Sequence, residues 1–150
     1  MGARYDKYEP IAGGFRAPLA ADLTFSAAGE FGPKAVSLDA NGRVVVGTAG
    51  QSGAVGVVVK NVPKYPNLGN VPGQINSGVF IGGIAGDIVD VMTSGEIVDV
   101  PGLVAGQTYY AATDGSLTAT APATGVNGYR VGHTVEAGRL VVRFERIQGQ

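Results

Sequence analysis

One phrase is written twice in this chain, and the spacing of its copies limits the fold more than any other feature. Gly86-Asp87-Ile88-Val89-Asp90-Val91 is followed nine residues on by Gly95-Glu96-Ile97-Val98-Asp99-Val100. Each copy is a short β-branched run bounded by glycine, which is strand chemistry at turn spacing. No helix fits between them. The link Thr93-Ser94-Gly95 suits a three-residue hairpin loop with Gly95 in the left-handed position of a bulge. That register sets Val91 opposite Ile97 and Asp90 opposite Val98, which keeps like charges apart. Each face then mixes apolar and acidic residues, so a second arrangement, in which the copies are strands that do not pair, stays open.

Composition agrees with a β protein. The chain has 150 residues, 25 of them glycine and 8 proline, without a Gly-X-Y period. Many short strands joined by tight turns account for this. The length fits one domain, or a small domain with an arm. At 45% hydrophobic residues the chain can bury a core, while only 15% are charged. A net charge of -1 supplies no basic field, so no nucleic-acid partner is expected. Cysteine is absent, which excludes disulfides and thiolate chemistry. No stretch approaches the roughly 20 apolar residues of a membrane-spanning helix, and no secretory signal pattern opens the chain. A soluble protein with no membrane partner is expected.

Residues 1–34 read as an arm and residues 35–150 as a β domain. In the arm, Tyr5, Tyr8, Phe15, Phe25 and Phe31 stand among prolines and glycines with balanced charges, and neither period 2 nor period 3.6 is sustained. Such aromatics either order on a partner as they bind or close one end of the domain's own core. From residue 35, Ala35–Leu38 and Arg43–Val46 flank Asn41-Gly42, a strong tight-turn pair. Val55–Val59 reads as a strand buried on both faces. Residues 61–86 form a long proline- and glycine-rich loop, with Val79-Phe80-Ile81 as a strand or anchor within it. Its role is contact with a neighbouring subunit or a plain surface excursion. Gln107–Ala111 and Leu117–Thr120 flank a second hairpin signal, Asp114-Gly115. Arg130–Val135 reads as a short strand broken at Gly132. In the run Arg139–Ile147, Leu140, Val142 and Phe144 point one way and Arg139, Val141, Arg143 and Glu145 the other. The expected fold is all-β, a small sandwich or barrel behind an extended N-terminal arm.

No Lys or Arg occurs between Lys64 and Arg130, an interval that holds Asp87, Asp90, Glu96, Asp99 and Asp114. The tail restores Arg139, Arg143 and Arg146. Either the tail strand pairs beside the acidic strands in one sheet, or opposite patches meet between subunits.

Little in the chain is equipped for catalysis. His133 is the only histidine, and no Gly-x-Ser-x-Gly elbow occurs. A structural or surface role is the reading for His133. The acids Asp87, Asp90, Glu96 and Asp99 lack the Asp-x-Asp-x-Asp-Gly spacing of a calcium loop. Solvated acids that discourage edge pairing are the alternative. The glycines at 78–86 lack the Gly-Lys-Ser/Thr of a phosphate loop. No catalytic residue, metal or cofactor is expected.

Three stretches resemble the capsid decoration (head cement) proteins of tailed bacteriophages, particularly those infecting actinobacteria. Tyr8-Glu9-Pro10-Ile11-Ala12-Gly13-Gly14-Phe15-Arg16-Ala17-Pro18-Leu19 is similar to their leading arm. Residues 86–98 are similar to their central strand pair. Tyr109-Tyr110, Asp114-Gly115 and residues 131–142 are similar to their closing segment. The resemblance covers most of the chain except residues 61–85. It implies a non-enzymatic protein made in the host cytoplasm and carried on the outer capsid surface of the virion. It further implies a homotrimer that clamps neighbouring major capsid subunits of the expanded head. The expected capsid-binding anchors are Tyr5, Tyr8, Phe15 and Arg16, since aromatics and arginine lead interface energetics. The alternative is a tail- or fibre-associated β module that binds host surface glycans, for which Tyr109-Tyr110 is the one hint. A hydrolase built on the acidic residues is a third possibility.

Overall fold

The computed structural model describes residues 13–25, 32–59 and 80–148. These form twelve strands and, among the described residues, no helix. In chain order the strands are β1 (Gly14–Pro18), β2 (Leu23–Phe25), β3 (Pro33–Leu38), β4 (Val44–Val46), β5 (Ala54–Val59), β6 (Phe80–Gly83), β7 (Ile88–Met92), β8 (Ser94–Ile97), β9 (Thr108–Ala111), β10 (Leu117–Thr118), β11 (Asn127–Glu136) and β12 (Arg139–Gln148). The first five-stranded sheet runs β1-β7-β5-β3-β4 and the second β10-β9-β11-β12-β8, while β2 and β6 make a two-stranded pair. Every pairing between strands is antiparallel. The fold is all-β, as expected.

Alternate residues of the first sheet feed two different cores. Val36, Val58, Val89 and Val91 point to one side with Ala17, Leu19, Leu23 and Val44. Ala35, Val57 and Met92 point to the other, where they meet Ile97, Tyr109, Val131, Leu140 and Val142 of the second sheet. The sheet therefore has both faces covered in its middle strands, which is why β5 reads as an unbroken apolar run. It also curls. Leu19, just beyond β1 at one edge, forms a parallel bridge with Val44 of β4 at the other edge. The Ala20 amide donates to the Val44 carbonyl at 2.9 Å. The inner core is the inside of that curl, and the second core lies between the two sheets as in a sandwich.

The anticipated turns form. Asp39 Oδ1 accepts from the amides of Asn41 (2.8 Å) and Arg43 (2.9 Å), closing the β3–β4 hairpin. The Arg43 amide bond is the leading reason the Asp39 carboxyl lies below its ordinary pKa. In the β9–β10 turn Asp114 Oδ1 accepts from the Ser116 hydroxyl (2.6 Å) and amide (2.9 Å). That turn also joins the sheets: the Ala35 amide donates to the Gly115 carbonyl at 2.7 Å. A Cβ on Gly115 would stand 2.7 Å from the Ala35 carbonyl oxygen, so the contact demands glycine.

Two expectations are corrected. The doubled phrase is not a hairpin. Its first copy supplies β7, which pairs with β1 and β5, and its second supplies β8, which pairs with β12. Thr93 carries the chain from one sheet to the other, its carbonyl accepting the Phe144 amide at 2.9 Å. Gly132 does not break a strand either. β11 runs ten residues through it, with a register shift against β9 between Arg130 and Gly132 that leaves Val131 as the extra, buried residue. A Cβ at Gly132 would lie 1.9 Å from the Val141 carbonyl oxygen. The glycine is there for close strand approach. Most of the 61–86 loop lies outside the described residues, but Phe80–Gly83 within it does form a strand, paired with β2.

Candidate functional site

Tyr5 and Tyr8 lie outside the described residues. Phe15 and Arg16 lie in β1, the edge strand beyond β7, within the stretch read as arm. Period 2 splits their fates. Phe15 is opposite Val91 and half-buried against the inner core. Arg16 is opposite Asp90, on the outward face, and its Nε is 2.6 Å from Asp90 Oδ1. The Arg16 side chain keeps 50% exposure. An exposed pair of this kind contributes about 0.2–1 kcal/mol to stability. Its larger effect is to hold a guanidinium in one place on the surface.

On the same outward face Pro18 is opposite Ile88. Ile88 is 62% exposed, unusual for a β-branched residue in the second strand from an edge. Sequence reasoning missed it, because Ile88 and Ile97 occupy equivalent places in the doubled phrase and look alike. Only the position of each copy in its sheet distinguishes them.

At its N-terminal end β1 is pinned through Gly13, whose carbonyl accepts from the amides of Thr93 (2.5 Å) and Ser94 (3.0 Å). Gly13 therefore sits at the junction of the two sheets.

The acids do not gather. Asp90 pairs with Arg16, Asp87 Oδ2 accepts the Ile84 amide at 3.0 Å, and Glu96 takes the Arg139 guanidinium on the other sheet. Arg139 also reaches Glu136 at 3.7 Å. The hydrogen bond from Arg139 is the main reason the Glu96 carboxyl lies below its ordinary pKa. Arg130 pairs with Glu145 across the β11–β12 ladder. The tail strand thus lies beside the second acidic strand in one sheet, while the first acidic strand belongs to the other. Among the described residues, no group of three or more His, Asp or Glu side chains is placed to hold a metal ion.

His133 is exposed on the outer face of the second sheet, between Thr108 and Val141. Tyr109 and Tyr110 point to opposite faces. Tyr109 is buried between the sheets and its hydroxyl accepts the Val104 amide at 2.9 Å. The pair does not make one aromatic platform. An open notch of about 290 Å³ lies between the sheets, walled by Pro33, Val100, Leu103, Tyr109 and Leu117, with Lys34 as its charged group.

Fold and surface together define an all-β module of two packed sheets, with an edge strand that leads into a preceding aromatic segment. A chain of Mycobacterium phage Patience shares this fold, with a TM-score of 0.68 over 97% of both chains at 20% identity. No protein-family profile and no curated protein matches the sequence.

Proposed function

We propose that the chain is a non-enzymatic decoration protein that binds the outer surface of an expanded phage capsid and bridges neighbouring major capsid subunits. The observation that carries this reading is the end-to-end likeness to a chain of Mycobacterium phage Patience, 97% of each. The segment before β1, which carries Tyr5, Tyr8 and Pro10, is the second support. Tyr5 and Tyr8 are the anchors of first choice, with Arg16 beside them at the start of the sheet. Phe15 has a partner within its own core, so its contribution to binding passes through the seating of β1.

The energetics follow from linkage. A protein that binds the assembled lattice but not separated subunits stabilises the shell by mass action. As a homotrimer it would present three arms, and tethering raises the effective concentration of the second and third once the first has bound. Modest individual contacts then give durable decoration.

The discriminating experiment is a truncation that stops at the right residue. Removing residues 1–20 would also remove β1 and Leu19, which is 2% exposed in the inner core. Residues 13–150 are the proper fragment. The fragment is expected to keep the fold, measured by circular dichroism. It should bind expanded, empty capsids at least about tenfold more weakly than the full chain, as loss of two aromatic anchors predicts. Normal occupancy by the fragment would refute the arm.

A further inference from the structure

We infer that Asn41 is a self-modification site: its side-chain amide converts spontaneously to aspartate and isoaspartate through Gly42, at a rate set by Asp39. The inference is independent of the capsid reading.

The chain holds two Asn-Gly pairs, Asn41-Gly42 and Asn127-Gly128. Glycine after asparagine leaves the peptide nitrogen open to the side chain, because no Cβ stands in the way. The conversion needs only water. The Gly42 amide loses its proton to solvent base, and its nitrogen attacks Asn41 Cγ. The N–Cγ bond forms, the Cγ–Nδ2 bond breaks, and ammonia leaves with a proton from water. Water then opens the cyclic imide. Attack at the side-chain carbonyl gives aspartate, and attack at the main-chain carbonyl gives isoaspartate. Overall a water is consumed and an ammonia released, with no change of oxidation state.

Asn41 and Asn127 both face solvent, so access to the side chain does not separate them. The backbone does. Asn127 and Gly128 lie in the β11–β12 ladder, opposite Gln148 and Ile147. Pro122 packs on Gly128, where a Cβ would stand 2.2 Å from the proline Cγ. The imide cannot close there without pulling the stretch out of its sheet. Asn41 and Gly42 belong to no ladder; they are the exposed tip of the β3–β4 hairpin. What restrains them is Asp39. Its carbonyl accepts the Gly42 amide, the nucleophile itself, at 3.0 Å. Its Oδ1 accepts the Asn41 and Arg43 amides on either side. Opening the tip breaks these few bonds and leaves the sheet in place, which is the low end of local opening energies.

The consequence reaches the inner core. Isoaspartate lengthens the main chain between Leu38 and Val44, which are register partners. Val44 is 1% exposed, and its carbonyl accepts the Ala20 amide where the first sheet curls closed. Conversion therefore loosens that seam.

The test incubates the folded full-length protein in warm, mildly alkaline buffer. Peptide mass mapping follows both sites, and isoaspartyl methyltransferase scores isoaspartate. Asn41 is expected to convert faster than Asn127, whereas in urea the two convert at similar rates. Asp39→Ala should speed conversion at Asn41 roughly tenfold, as loss of hydrogen bonds to a charged acceptor implies, and leave Asn127 as it was. Asp39→Asn keeps a side-chain acceptor and should stay within about twofold of wild type. Aged wild type should melt lower than fresh protein, and aged Asn41→Gln should not. Conversion of Asn127 as fast as Asn41 in the folded protein would overturn the inference. So would an unchanged Asn41 rate in Asp39→Ala, or equal acceleration at both sites, which would report a general loosening of the fold. Conversion of Asn41 with no loss of melting temperature would refute the effect on the seam.

Discussion

At the scale of the residue, the doubled phrase shows one sequence put to opposite uses. Ile88 is 62% exposed and Ile97 1%, whereas Val89 is 3% exposed and Val98 44%. Among the isoleucine and valine positions the copies agree only at the last valine, Val91 at 0% and Val100 at 7%. The cause is the change of sheet at Thr93, which turns the second copy's isoleucine toward the inter-sheet core. Truncation should expose this difference. Ile97→Ala is expected to destabilise the protein by about 2–5 kcal/mol, the range for large aliphatic side chains removed from a core. Ile88→Ala should stay within about 0.5 kcal/mol of wild type, as exposed positions do. Urea unfolding of the two variants checks this, and equal losses would contradict the placement of the copies. That the phrase is strand chemistry was legible in the sequence. Which isoleucine is buried was not, because burial depends on a neighbouring sheet that the local pattern does not mention.

At the scale of the element, the edge strand β8 is held to its sheet by four register pairs with β12 and by the Arg139–Glu96 ion pair across them. The Glu96 carboxyl sits below its ordinary pKa chiefly because Arg139 donates to it. The folded state therefore prefers the ionised form. Its contribution is complete above the ordinary glutamate pKa and disappears as pH falls through the lowered value. An NMR titration should find the Glu96 carboxyl changing protonation below the usual glutamate range, and Arg139→Gln should return it there. An unchanged midpoint in that variant would show that the pair does not anchor the strand. The hairpin elements were readable in advance, since Asn41-Gly42 and Asp114-Gly115 carry their turn chemistry locally. The role of Gly132 was not. A strand-breaking glycine and one that admits a neighbouring carbonyl look the same until the partner strand is in place.

At the scale of the whole molecule, the two sheets do not form independent units. β3, β5 and β7 each contribute to the core between the sheets through Ala35, Val57 and Met92, while their alternate residues line the inner core. The Gly115 turn adds backbone hydrogen bonds from one sheet to the other. Loss of either sheet uncovers a face of the other, so a single cooperative unfolding transition is expected. Differential scanning calorimetry should give a calorimetric enthalpy equal to the van't Hoff enthalpy, and two resolved peaks would refute the shared core. The stretch read as arm divides at this scale. Residues 14–18 are a strand of the first sheet, and Leu19 and Leu23 are core residues. Their pairing partners Ile88–Met92, Val44 and Gly83 lie far along the chain, so no local period announced them. By itself the sequence determined the β class, the tight turns, the alternation of β12 and the scarcity of catalytic groups, since each depends on residues within one turn or strand. Only the tertiary structure decided which strands are neighbours, which copy of the doubled phrase faces water, and that Arg16 shares a surface with Ile88. Those depend on contacts between segments some 70 residues apart (Arg16 with Asp90), which exist only once the sheets have formed.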